Sequence, residues 1–132
     1  MKRYVCDAGA LALLLAGDVR FKGFVGEVSR GQASAHASVV NLAELYHETG
    51  QKLGAETAET WFVGVVNSNL GIEAADSDPA REAGLYKIRY PDGLSLADCF
   101  AAAETLGKRG VLLTTDSDLK QVKELDVQYF KV

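Results

Sequence analysis

Val111-Leu112-Leu113-Thr114 carries no charged residue and is followed directly by Thr115-Asp116-Ser117-Asp118. An unbroken apolar run of this length suits a strand inside a parallel sheet, where helices cover both faces. Near the other end of the chain Tyr4-Val5-Cys6-Asp7 repeats the pattern, a short apolar strand closed by an acid. Helical and extended patterns alternate between the two. Asp7 is a suitable N-cap for a helix over 8–15 that Gly17 stops. Asp18 caps a second, with Phe21, Val25 and Val28 on one face, and Gly31 ends it. Residues 33–37 read as a short strand. Ser38 or Asn41 starts a helix carrying Leu42, Leu45, Tyr46 and Thr49, ending at Gly50. A further helix spans about 55–66.

Beyond it, 71–75 reads as a strand, with Ile72 its strongest residue. Asp76-Ser77-Asp78-Pro79 opens a helix that runs to about Tyr90, with Ala83, Leu85 and Ile88 apolar. Tyr90-Pro91-Asp92-Gly93 is a turn. Ser95 caps an alanine-rich helix over 96–106, and 107–110 is a loop. After the central run, 119–124 reads as a short helix and 127–130 as a last strand. Strands that alternate with helices predict an α/β fold, a mostly parallel central sheet between two helical layers.

The 132 residues suit a single domain, 1–132. Apolar residues make up 48% and charged residues 24%, which excludes a disordered chain. Two prolines and no dominant residue type exclude collagen-like and Pro-rich classes. Cys6 and Cys99 are too few for a disulfide scaffold or a four-thiolate zinc site, and read as buried thiols. A net charge of −4 argues against a generic nucleic-acid coat protein, though not against an enzyme with a local binding patch. Met1-Lys2-Arg3 before the apolar stretch 8–16 has the outline of a short signal peptide. Asp7 directly before that stretch argues against it, and the stretch is too short to span a membrane. A cytoplasmic chain is the expectation.

Ligands of open α/β sheets bind beyond the carboxyl ends of the strands. Asp7 and Asp116 stand at two such ends. Glu44 and Asp98 lie near helix starts among apolar neighbours, in Asn41-Leu42-Ala43-Glu44-Leu45 and Leu96-Ala97-Asp98-Cys99-Phe100. Exposed helical acids usually have a basic residue three or four positions away. The only basic residue within four positions of Glu44, Asp98 or Asp116 is Lys120. Lys2, Arg3, Lys108 and Arg109 are near enough in sequence to flank such a site.

Each acid also has a plain structural explanation. Asp7 serves as a cap, Ser95-x-x-Asp98 and Asn41-x-x-Glu44 fit capping boxes, Asp116 suits a turn, and Asp118 suits a cap of the next helix. Capping alone gives no reason for all four to face one sheet edge. Two carboxylates about 5 Å apart repel by roughly 3 kcal/mol at an effective dielectric near 20. A converged set must therefore protonate or bind a cation. Oxygen-only ligands favour Mg²⁺ or Mn²⁺ over zinc. Such ions orient phosphates and activate water, so the set points to phosphodiester hydrolysis.

Taken in order, Val5-Cys6-Asp7-Ala8, Asn41-Leu42-Ala43-Glu44-Leu45, Leu94-Ser95-Leu96-Ala97-Asp98-Cys99-Phe100-Ala101-Ala102-Ala103 and Leu113-Thr114-Thr115-Asp116-Ser117-Asp118-Leu119 resemble the acidic motifs of PIN-domain ribonucleases. Among these the chain looks most like the small VapC-type toxins of type II toxin–antitoxin pairs, over 4–130. The resemblance implies a PIN-like α/β/α sandwich and an Mg²⁺- or Mn²⁺-dependent endoribonuclease with a four-acid pocket of Asp7, Glu44, Asp98 and Asp116. Asp7, Asp98 and Asp116 would hold one or two metal ions, and Glu44 would orient or deprotonate the attacking water. Asp118 matches a further acid, and Thr114 sits where the family often has a hydroxyl. Implied partners are an RNA substrate, a cognate antitoxin protein and a second copy of the chain in a homodimer. Asn41 departs from the threonine or serine of many relatives. No strong basic run marks an RNA-contacting surface.

Two other readings share the scaffold. A receiver-type signalling domain would need a paired acid at the first strand and a lysine after a late one. Asp7 stands alone, and Thr114-Thr115-Asp116 offers no lysine. A catalytically silent PIN-like module that only binds a partner protein is the second, and the presence of all four acids argues against it. His36 and His47 lie too far from any ligand cluster for a zinc site. Phe21, Phe24, Trp61 and Phe62 are at helical spacing and read as core or dimer contacts.

Overall fold

A computed structural model describes residues 1–132. Five parallel strands form one sheet: β1 Lys2–Cys6, β2 Ala33–Ser38, β3 Gly71–Glu73, β4 Val111–Thr114 and β5 Asp126–Tyr129. Their order is β3-β2-β1-β4-β5, so the chain reverses direction across the sheet between β1 and β4. Six α-helices connect them: α1 Ala8–Leu15, α2 Lys22–Ser29, α3 Val39–Leu53, α4 Ala55–Val66, α5 Ser77–Arg89 and α6 Leu96–Lys108. A single-turn 3₁₀ helix, Val19–Phe21, leads into α2, and another, Ser117–Gln121, lies between β4 and β5.

Neighbouring residues on a strand face opposite ways, so each buried strand feeds two cores. Tyr4, Cys6 and Leu113 join Leu11 of α1, Leu42 and Leu45 of α3 and Val65 of α4 in one cluster. Val5 and Leu112 join Ala83 and Tyr86 of α5 and the alanines of α6 in the other. Small side chains on α6 (Ala101, Ala102, Ala103) bring that helix close to the sheet. This is the three-layer α/β/α arrangement expected from the alternating pattern.

Several elements depart from the sequence reading. The helix read as ending at Gly50 continues to Leu53, where Gly54, at φ +97°, supplies the turn. Ser38, and not Asn41, caps it: its side chain accepts the Val40 N–H. Helix α6 runs to Lys108, so Gly107 is helical; Arg109, at φ +53°, ends it. On α5 the buried positions are Ala83 and Tyr86, while Leu85 and Ile88 face outward, 50% and 76% exposed. The segment read as a helix over 119–124 is instead the 3₁₀ helix Ser117–Gln121. No helix is long and apolar enough to cross a membrane.

Candidate active site at the carboxyl edge of the sheet

Asp7 follows the last residue of β1, and its N–H still donates to the Leu113 carbonyl at 3.2 Å, so strand pairing holds the residue in place. One carboxylate oxygen accepts the Ala10 N–H at 2.8 Å and caps α1. The other accepts the Thr114 hydroxyl. Thr114 is itself fully buried at the end of β4, and its oxygen accepts the Asp116 N–H at 2.9 Å. One hydroxyl thereby ties two acids together. Asp7 is 4% exposed, and burial pushes its pKa up to about 6. Hydrogen bonds from Thr114 and Ala10 hold it down against that, and the charge of Asp116 adds to the rise.

Asp98 arrives from the opposite layer. Ser95 and Asp98 form a capping box at the start of α6: Asp98 N–H donates to Ser95 Oγ, and Ser95 N–H donates to Asp98 Oδ2, each at 3.1 Å. The box occupies one carboxylate oxygen and leaves the other without a protein donor. Burial first, and then the neighbouring Asp116 carboxyl, push Asp98 up to about 7. Asp116 gives its Oδ1 to the Asp118 N–H at 2.9 Å, capping the 3₁₀ helix. Asp118 was read as that cap; it donates its backbone to Asp116 instead and leaves its carboxylate exposed.

Glu44 stands half-buried on α3. Burial raises its pKa, followed by the charges of Glu48, Asp7 and Asp116. Asn41, one turn earlier, is completely buried, and its Nδ2 donates to the Ala97 carbonyl at 3.3 Å, joining α3 to the first turn of α6. Asn41 and Glu44 do not form a capping box, because Ser38 caps the helix and Asn41 already lies inside it, three residues on. Glu48 went unnoticed in the sequence, although its place one helical turn after Glu44 is a readable signal.

Asp7, Glu44, Asp98 and Asp116 thus lie near enough for charge and hydrogen bonding to link them. The proposed flanking cations do not. Arg3 lies four residues before Asp7 on a strand that rises about 3.3 Å per residue, roughly 13 Å away at the opposite sheet edge. There Arg3 donates to the Lys108 carbonyl at 3.0 Å and Lys2 pairs with Glu27 at 3.6 Å, while the Lys108 ammonium is taken up by Glu73, the last residue of β3, at 2.9 Å. Arg109 closes the α6 terminus beside them.

The donor chemistry fits a hard divalent cation. All four groups are carboxylates, and neighbouring carboxyls withdrawn from water are eased by a proton or a positive ion. No three His, Cys, Asp or Glu side chains come close enough together to hold a metal directly. Mg²⁺ is commonly held by one or two carboxylates with waters completing its shell, which the neighbouring Asp98 and Asp116 suit. Neither histidine belongs to this set: His36 bonds Ser34 Oγ at 2.8 Å on β2, and His47 is exposed. Both cysteines are buried and unpaired. A hollow of ≈ 270 Å³ lined by Leu11, Leu14, Phe24, Val28 and Leu70 contains none of the acids.

Solved structures with the same arrangement include three toxin or toxin–antitoxin structures. VapC20 of Mycobacterium tuberculosis, described as a toxin that cleaves the sarcin–ricin loop, superposes with a TM-score of 0.74 at 18% identity, covering 95% of this chain and 98% of that one. DNA-bound VapBC of Salmonella typhimurium gives 0.74 at 16% identity, covering 98% of each chain. VapBC2 of Rickettsia felis, bound to a promoter DNA fragment, gives 0.73 at 14% identity, covering 96% of this chain and 98% of that one. At these identities the likeness is one of fold. No curated protein matches in sequence. The PIN-domain family model matches residues 4–125, nearly the whole span from β1 to the threshold of β5, and on that match the chain belongs to the PIN-domain family.

Proposed function

We propose that this protein is a metal-dependent endoribonuclease acting in the cytoplasm, the toxin of a toxin–antitoxin pair. The observation that carries the reading is the buried Asp7 at the carboxyl edge of the sheet, tied through the Thr114 hydroxyl to the Asp116 backbone, with the desolvated Asp98 carboxyl at the start of α6 beside them. Such an arrangement is costly in an apolar fold and is relieved by a cation. Membership of the PIN family and the likeness to VapC toxins support the same conclusion.

Asp98 and Asp116 would hold Mg²⁺ or Mn²⁺ directly, with Asp7 contributing behind the Thr114 hydroxyl. When bound, the ion supplies charge neutralisation for the phosphate and lowers the pKa of a bound water. Glu44 keeps both carboxylate oxygens free of protein donors and accepts the proton of the attacking water. The water oxygen bonds to phosphorus, the bond to the leaving sugar oxygen breaks, and that oxygen takes a proton from solvent. Asn41 and the Ser95–Asp98 capping box keep Glu44 and Asp98 from drifting apart as charge changes. A cognate antitoxin and a homodimer complete the proposed assembly.

Cleavage of single-stranded RNA with Mg²⁺ or Mn²⁺, compared between wild type, Asp7→Asn and Asp98→Asn, tests this. Both variants are expected to lose roughly 10- to 100-fold or more in rate, as the loss of a group that holds or supports a bound metal does. EDTA abolishes wild-type cleavage. Equal rates in wild type and variants would remove the assignment.

A further inference from the structure

An RNA strand that reaches this acidic edge carries negative charge toward negative charge. The metal answers that problem at one phosphate only. The neighbouring phosphates need a cation that is close, exposed and not already paired, and the fold supplies very few.

Tyr129 lies in parallel register with Thr114, so its side chain continues the row that runs from Asp7 through Thr114 along the carboxyl edge. The Phe130 N–H donates to the Thr114 carbonyl at 2.8 Å and locks that register. Lys120, from the 3₁₀ helix that Asp116 caps, holds its ammonium 4.6 Å from the centre of the Tyr129 ring. Lys120 is exposed and makes no ion pair. A cation held over a ring face is positioned without losing its N–H donors. The contrast with Arg20 is informative. Arg20 stands 5.5 Å from the Phe130 ring, but its guanidinium is committed to Asp18 at 2.9 Å and to the Lys131 carbonyl at 3.0 Å.

Resting on the ribonuclease reading, we infer that Lys120 binds a backbone phosphate of single-stranded RNA next to the one cleaved, and that Tyr129 is the positioning residue that aims it. Lys120 is also the only basic residue within four positions of Asp116 in the sequence, so a single segment brings an acid to the metal and a cation to the substrate. The contact is to backbone and carries no base preference.

Fluorescence anisotropy with fluorescein-labelled short single-stranded RNAs, one pyrimidine-rich and one purine-rich, tests the inference in Ca²⁺ over a range of NaCl concentrations. Lys120→Gln is expected to raise Kd about threefold to tenfold on both RNAs and to flatten the log K against log salt slope by about 0.7. Tyr129→Leu weakens binding in the same direction, and Tyr129→Phe, which keeps the ring, restores it. Lys52→Gln, at the far end of α3, binds as wild type does. An unchanged Kd and salt slope for Lys120→Gln overturns the inference, as does wild-type protein that binds neither RNA. Wild type that binds RNA through Lys120 but cleaves none with Mg²⁺ or Mn²⁺ removes the enzyme and leaves this contact standing.

Discussion

Thr114 shows how much one side chain organises. Its hydroxyl donates to Asp7 and accepts from the Asp116 backbone, with no exposure to water. Thr114→Val preserves shape and β-branching but leaves a buried carboxylate and a buried N–H without their partner. Urea unfolding should show a loss of about 1–3 kcal/mol, the range for an unsatisfied buried polar group. Thr114→Ser should recover most of it. A valine variant as stable as wild type would mean that water replaces the hydroxyl. At the same scale, the plain capping explanations and the shared site are compatible. Asp7 and Asp116 each cap a helix with one oxygen, and Asp98 closes the capping box of Ser95 with one of its own, so local bonds hold each carboxylate in place.

Among the elements, the end of α6 is the clearest compromise. Arg109 adopts the left-handed conformation at φ +53°, where glycine is the favoured residue. The left-handed conformation costs a non-glycine residue about 1–2 kcal/mol, partly offset by glycine's greater chain entropy. Arg109→Gly is therefore expected to raise stability by about 0.5–1 kcal/mol in thermal or urea unfolding. A loss of stability would show that the Arg109 side chain itself holds the terminus. The adjacent Gly110 has a different constraint, because a Cβ there would sit 2.6 Å from the Arg3 carbonyl oxygen. The misread helix at 119–124 has a related physical reason. The connection from β4 to β5 is short for a parallel crossover, and a 3₁₀ helix covers about 2.0 Å per residue against 1.5 Å for an α-helix.

For the whole molecule, buried carboxyls set the response to pH. Glu104 on α6 lines a cavity of ≈ 420 Å³ with Glu73 and Lys108, and both of its carboxylate oxygens are buried without a hydrogen-bond partner. Burial, then the charge of Glu73, push its pKa up to about 7, against the pull of Lys108. In the unfolded chain a glutamate ionises near 4.3, so between that value and about 7 the folded state retains a proton the unfolded state has lost. Stability therefore falls as pH rises through this window and is unaffected by Glu104 below it. Asp7 and Asp98, raised to about 6 and about 7, act in the same direction in the metal-free protein. Glu104→Gln should exceed wild type in Tm at pH 8 by more than at pH 5. A gap that does not change with pH would mean that the carboxyl is hydrated.

The periodicities and stop signals of the chain by themselves determined the α/β class, the spans of α1 and β4, the approximate span of α4, and the four acids worth testing. Apolar runs and caps are local properties, and local chemistry suffices to read them. Tertiary structure alone decided the rest. Strand order β3-β2-β1-β4-β5 places Asp7 beside Thr114, residues 107 positions apart, and strand direction carries Lys2 and Arg3 to the far edge. The direction of a strand separates its ends by its full length, so nearness to an acid in sequence was a poor guide for those cations. Lys120 needed the opposite correction, since only the pairing of Thr114 with Tyr129 gives it a ring to stand on.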